Sequence, residues 1–343
     1  MNNGRKIVYM DWNSLKGIKD PLKEPFISIS NLLIKYKDEI VIPYSPSHLA
    51  DLNKNYEANK EKVDSDLNFL KEISDNNIIA KYFGINETQF ELRDLIKFFH
   101  EIRKDKEEEQ PVSKIFGEIN DDFGIDMKGM FKGLDMKSIL PKKEDLEKSE
   151  TGKVLLKQYE TLFETGDFAS LLVDISKMND NFHNNSQDFN DLRKGLKEDL
   201  KLDSNISNLE LPIQRLDSIL PRTPIGKTFL ESVIEDVKRY HKEPIFFDYY
   251  LSAYNQLGLF GFRPDKLSEK NRFNNSIEDG FHSFYGSHAY IFITNDKVMY
   301  HRSRVLFEAF GIETKLIKTF ELDDNQKLIQ ELEQILKENK KGG

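Results

Sequence analysis

Two short apolar runs near opposite ends of the chain, Ile7-Val-Tyr-Met10 and Tyr290-Ile-Phe-Ile-Thr294, each lead into an aspartate, Asp11 and Asp296. Runs so rich in Ile, Val, Phe and Tyr, closed at once by polar residues, predict strands buried on both faces, as in parallel sheets covered by helices. An acid just past such a strand stands where open α/β sheets bind their ligands. A third acid, Asp279, precedes the second run. Carboxylates gathered without a cation repel one another and raise each other's pKa, whereas a bound Mg²⁺ or Mn²⁺ keeps them ionised. Oxygen-only donors suit those hard ions. The expectation is that acids from both ends of the chain meet at one divalent cation.

The same residue type also caps helices. Asp296 directly precedes a helical pattern, Lys297 to Phe310, and Ser276-Ile-Glu-Asp279 matches a capping box opening a helix through His288. Asp11-Trp-Asn13 also fits a simple turn. Their joint placement is what favours the metal reading over three separate caps.

Composition narrows the chemistry. The chain has no cysteine, which removes disulfides, thiol nucleophiles and Cys-ligated zinc. Its histidines show no His-Glu-x-x-His spacing, and no phosphate-loop, dinucleotide-binding or Gly-x-Ser-x-Gly motif occurs. Carboxylates are the catalytic resource that remains. No apolar stretch approaches the roughly 18 residues of a membrane span, and the N-terminus lacks a secretory apolar region, so a cytoplasmic protein without a membrane partner is expected.

The formal charge of −9 is unevenly spread, since residues 101–203 hold 17 Lys and Arg against 24 Asp and Glu. Around the candidate acids the balance turns basic, with Arg263, Lys266, Lys270, Arg272, Lys297, Arg302 and Arg304, and the titratable His301. Such a cluster can grip a phosphate backbone.

Along the chain, a strand at residues 6–12, a helix from Ile27 to Tyr36, a strand from Glu39 to Tyr44, a helix opened by Ser45-Pro46, and a strand from Ile78 to Tyr82 alternate as in a parallel α/β sheet. From about residue 88 strand signals stop. Leu92, Leu95, Ile96 and Phe99, and later Leu155, Tyr159, Leu162 and Phe163, follow helical spacing. Asn179 to Asn190, rich in Asn and Asp, reads as loop. The α/β pattern returns with a Phe/Tyr-rich helix from Ile245 to Leu257, the helix from Asp279, strands at Tyr290 to Thr294 and Glu313 to Ile317, and a last helix from Asn325 to Glu338. The expected organisation is a discontinuous α/β domain, residues 1–87 plus 244–343, interrupted by an all-helical insertion at 88–243.

The strand ending in Asp11-Trp-Asn13, the segment Asp279-Gly-Phe-His282-Ser-Phe-Tyr285, and Thr294-Asn295-Asp296 together resemble PIN-like domains, a fold of Mg²⁺/Mn²⁺-dependent nucleases with a parallel sheet flanked by helices. The resemblance covers roughly residues 5–85 and 245–318. It implies that Asp11, Asp279 and Asp296 bind metal, that Asn13, Thr294 and Asn295 orient them, and that His282 is structural. It also implies a further acid on the helix after the second strand, where Asp51 stands although Glu is more usual, with His48 one turn earlier facing phosphate. The implied reaction is hydrolysis of a phosphodiester to 5′-phosphate and 3′-hydroxyl ends, with RNA or another single-stranded nucleic acid as substrate. Related domains act as prokaryotic toxins or antiviral-defence effectors, where an insertion of this kind could restrain access or bind a regulatory protein partner. Two other classes fit the same residues: a catalytically silent PIN-like scaffold, and a phosphohydrolase acting on small phosphates.

Overall fold

The computed structural model describes residues 4–82, 85–108, 142–158, 160–165, 186–201, 212–223, 225–264, 273–322 and 324–338. The chain forms two compact units, one made of Met1–Lys104, Val233–Tyr254 and Glu278–Gly343, the other of Asp105–Ser232 and Asn255–Ile277.

The first segment runs β1 (Lys6–Met10), α1 (Trp12–Lys19), α2 (Phe26–Lys35), β2 (Ile40–Val41), α3 (Pro46–Asn53), α4 (Lys60–Ser74), β3 (Asn77–Ala80), β4 (Gln89–Leu92) and α5 (Leu95–Glu108). The middle contributes α6 (Lys143–Leu146), α7 (Glu150–Gln158), α8 (Glu160–Thr165), α9 (Ser186–Asp199), α10 (Pro212–Ile219) and α11 (Phe229–Tyr240). Then follow α12 (Phe246–Leu259), α13 (Phe273–Ser287), β5 (Ile291–Thr294), α14 (Lys297–Phe310), β6 (Lys315–Lys318) and α15 (Asn325–Lys337).

The protein is α/β, with a four-stranded parallel sheet in the order β2-β1-β5-β6, flanking helices and a helical middle region. The two central strands are the two apolar runs, and every residue of β5 is buried. They pair in register Val8↔Ile291, Tyr9↔Phe292 and Met10↔Ile293, and the Asp11 N–H continues the ladder to the Ile293 carbonyl at 3.3 Å. Because β2 lies on one side of β1 and β5 on the other, the chain order reverses between β1 and β5. Crevices at such a reversal are where parallel sheets bind ligands.

Beyond β2 the sheet is extended by Tyr44, whose N–H donates to the Asn77 carbonyl (2.9 Å) and whose carbonyl accepts from the Ile79 N–H (2.8 Å). β4 then pairs antiparallel with β3, which corrects the expectation that strands stop near residue 88. Leu92 belongs to this edge strand and is 72% exposed, while the helical stripe begins with the buried Leu95 and Phe99. A four-residue, half-exposed edge strand takes its conformation from pairing with β3, so its local pattern carries little signal.

The core of the first unit joins Val8, Met10, Ile291 and Ile293 of the strands to Leu15, Ile29, Leu49, Leu67 and Leu70 of the helices. α15 lays Leu328, Leu332, Ile335 and Leu336 onto the same core. Its N-terminus is capped by Asp324, which accepts from the Gln326 N–H at 2.8 Å. At its other end the buried ammonium of Lys6 donates to the carbonyls of Ile335 and Leu336, groups a helix leaves without intrahelical partners. Lys6→Met is therefore expected to lower unfolding free energy by about 1–3 kcal/mol, the cost of stranding buried carbonyls, as read from urea melts at neutral pH.

In the second unit α9 packs along α7. Asp199 at the end of α9 caps α7, accepting from the N–H groups of Glu150 (3.0 Å) and Thr151 (2.8 Å). The close approach needs Gly195, where a Cβ would stand 2.8 Å from the Thr151 nitrogen. α9 begins at Ser186, so Ser186 to Asn190 is helix rather than the expected loop, and the rest of that Asn-rich stretch lies outside the described residues. No helix among the described residues is long and apolar enough to cross a membrane.

Candidate functional site

Asp11 and Asp296 follow the carboxyl ends of the adjacent strands β1 and β5, and Thr294 joins them. The buried Thr294 hydroxyl donates to Asp11 Oδ2 at 2.7 Å and accepts from the Asp296 N–H at 3.0 Å. Each acid also caps the helix that follows it. Asp11 Oδ1 accepts from the Ser14 N–H at 2.8 Å to open α1, and Asp296 Oδ1 accepts from the Met299 N–H at 2.7 Å to open α14. Both side chains therefore cap helices, while Asp11 meets Thr294 through its carboxylate and Asp296 meets it through its backbone N–H. Asn295 stands between, its side-chain oxygen accepting from the Thr319 hydroxyl at 3.0 Å, while Asn13 is exposed in the first turn of α1.

Asp51 has partners of its own. On α3, its Oδ2 accepts from His282 Nε2 (3.1 Å) and its Oδ1 from the Lys54 ammonium (2.7 Å). Burial alone would raise its carboxyl pKa, but His282 and then Lys54 outweigh that and hold it well below the usual carboxylate range.

From His282 a chain of buried polar contacts runs back to the residue before Asp11. His282 Nδ1 lies 2.7 Å from the Tyr9 hydroxyl, which lies 2.8 Å from Ser45 Oγ. Ser45 Oγ is 3.0 Å from His48 Nδ1, and the Ser45 N–H donates to that same nitrogen at 2.9 Å. An accepting Nδ1 leaves the proton on His48 Nε2, which donates to the Met10 carbonyl at 2.7 Å, one residue before Asp11. Burial, reinforced by the neighbouring His282, pushes His48 down to about 3 despite the favourable Met10 carbonyl. Burial also raises the Tyr9 phenol well above its ordinary value. His48 is therefore a fully buried, neutral imidazole built into the α3 N-terminus, which corrects the expectation that it faces phosphate.

Asp279 lies inside α13, one turn before His282 and on the same face by helical spacing. Since α13 begins at Phe273, Asp279 is not the end of a capping box that opens it. Among the described residues no group of three or more His, Asp or Glu side chains stands close enough to hold a metal ion.

The basic cluster divides. Lys297 and Arg304 are exposed and Arg263 is half-buried. Lys266, Lys270 and Arg272 lie outside the described residues. Arg302 is fully buried, 5.2 Å from the ring centre of Tyr254, which corrects the expectation that it grips a phosphate backbone. Helical phase explains this correction: Met299, Arg302, Ser303 and Leu306 form one inward stripe of α14.

Sequence reasoning missed Tyr9 and read Ser45 only as a cap. The available signal was a hydroxyl inside a strand buried on both faces, since a buried Tyr O–H needs a partner. A scan of protein-family models finds no match to this chain, and neither do searches of the curated proteins and of the solved structures.

Proposed function

We propose that this protein is a metal-dependent endonuclease of PIN-like type, acting first on RNA, with the reaction centred on Asp11 and Asp296. The observation that carries the reading is the convergence of these two acids on Thr294 from adjacent parallel strands, at the point where strand order reverses.

The donor set suits a hard cation, since it consists of carboxylate and hydroxyl oxygens. Mg²⁺ is commonly held by one or two carboxylates with water and substrate phosphate completing its shell, so a two-acid site does not need a third protein ligand. When bound, Mg²⁺ or Mn²⁺ would supply charge neutralisation and Lewis acidity toward a phosphodiester. Asp11 and Asp296 would hold it, with Thr294 hydrogen-bonded to the Asp11 carboxylate and to the Asp296 backbone N–H. Asp51, kept ionised by His282 and Lys54, and Asp279 on the His282 face of α13 would act beside the pair and not as third ligands to the same ion. Lys297 and Arg304 would draw the phosphate backbone toward the site without reading bases. A toxin or antiviral-defence role, and a protein partner bound by the helical middle, belong to the same proposal.

A silent scaffold is the second reading, favoured by the fact that both acids already cap helices. Incubating the full chain with single-stranded and duplex RNA and DNA, in Mn²⁺ and in chelator, separates the two. The expected result is Mn²⁺-dependent cleavage of single-stranded RNA leaving 5′-phosphate ends. No cleavage of any of these substrates, together with no Mn²⁺ uptake by calorimetry, would establish the scaffold.

A further inference from the structure

The carboxyl end of β6 carries a second cluster that the two acids leave unused. Thr319 is tied to β5 through its N–H to the Thr294 carbonyl (3.1 Å) and its hydroxyl to Asn295, so the residues after it border the candidate site. Glu321, in the left-handed region at φ 47°, places its carboxylate 2.7 Å from the Lys297 ammonium. Lys297, and then Lys318 and His301, hold that carboxyl below its usual range. One acid is thus ion-paired with Lys297 and lies in the field of two further basic side chains.

Aromatic rings stand beside it. Phe320 and Tyr300 meet edge to face at 5.7 Å, Tyr300 meets His301 at 5.3 Å, and the Lys318 ammonium lies 5.7 Å from the Phe320 ring centre. Tyr300 and Phe320 are only half-buried, and the side chains of Lys297 and Glu321 are 46% and 63% exposed. An isolated surface ion pair contributes little to stability, so fold maintenance is a weak explanation for this grouping.

A carboxylate among ammonium groups occupies the kind of place a phosphate takes, and aromatic rings next to a basic track are how single strands are held. We propose that this edge is a nucleotide subsite adjoining Asp11 and Asp296. The phosphate displaces Glu321 from Lys297, and the base stacks on the Tyr300–Phe320 pair. Glu321 is then an internal competitor that sets the affinity for single strands. The inference rests on the nuclease reading for the kind of polyanion that arrives, not for the binding itself.

The test is fluorescence anisotropy of a labelled single-stranded RNA oligonucleotide with the full chain carrying Asp11→Asn, in chelator, so that binding is read without cleavage. Glu321→Gln is expected to tighten binding about threefold, the scale of one exposed ion pair. Lys297→Ala is expected to weaken it and to reduce the salt slope by about 0.7, one phosphate contact on a single strand. Tyr300→Leu is expected to weaken it about tenfold, the scale of one stacked base. Unchanged affinity in both Glu321→Gln and Lys297→Ala, with thermal melts like the parent, would overturn the subsite, and equal affinity for duplex of the same length would overturn the stacking. A chain that cuts RNA while these variants bind like the parent fails the subsite alone. Variants that shift binding as expected in a chain that cuts nothing fail the nuclease reading alone.

Discussion

Asp11→Asn and Asp296→Asn are each expected to leave the fold intact and to reduce Mn²⁺-dependent cleavage by about a thousandfold or more, about 4 kcal/mol in activation free energy. Asn is chosen because it caps helices as well as Asp does. Its amide oxygen can keep the bond from Ser14 N–H in α1 or from Met299 N–H in α14. At position 11 the amide N–H₂ can also donate to the Thr294 hydroxyl, which is able to accept. What Asn removes is the negative charge and the anionic oxygen that a hard cation requires. Calorimetric titration with Mn²⁺, cleavage assays and thermal melts on the same preparations give the three readouts. If both variants bind Mn²⁺ and cut like the parent, the acids are caps and nothing more. Asp→Ala would be a poorer test, because it costs about 1 kcal/mol in lost capping and confounds stability with chemistry.

Acid is expected to destabilise this protein through His48 well above the range where carboxylates titrate. The folded value near 3 lies below the ordinary 6.5 of the unfolded chain. The stability this represents is fully present above about pH 6.5 and is lost as pH falls toward 3, because only the unfolded chain takes up the proton. Between pH 7 and pH 5 the loss from this one group is about 2 kcal/mol, close to 1.4 kcal/mol per unit once below 6.5. The groups that face it are His282, Tyr9, Ser45 and, beyond His282, Asp51. Asp51, held below the usual carboxylate range, loses its own contribution only at lower pH and does not add to this window. Urea melts of the parent and His48→Gln at pH 7, 6 and 5 isolate the effect. The variant is expected to be less stable at pH 7 and to show a shallower pH dependence, and parallel slopes would mean that another group carries the proton.

The strands that build the site were legible because β1 and β5 are buried on both faces, and continuous apolar runs have few other uses. α14 and α15 were legible from helical spacing, and the acids from their place after the strands. β4 was hidden because Gln89-Phe-Glu-Leu92 is short and exposed, and Leu92 happened to fit a helical stripe. Arg302 was misplaced because its charge suggested the surface, whereas the phase of Met299, Ser303 and Leu306 around it turns the same position inward. The contacts among Tyr9, Ser45, His48 and His282 were invisible because β1, α3 and α13 contribute them from three distant stretches, and a hydroxyl or imidazole does not announce its partner.

Local patterning settles an α/β protein with an aspartate after each of two buried strands, because burial on both faces forces composition and leaves polar residues only at the ends. Which acids share a neighbour is a matter of register and helix phase between segments 283 residues apart. The pairing of β1 with β5 sets Asp11 beside Thr294 and Asp296, and the rotation of α3 and α13 turns Asp51 to His282 instead. Side-chain direction follows from packing against the rest of the fold, and a linear pattern does not encode it.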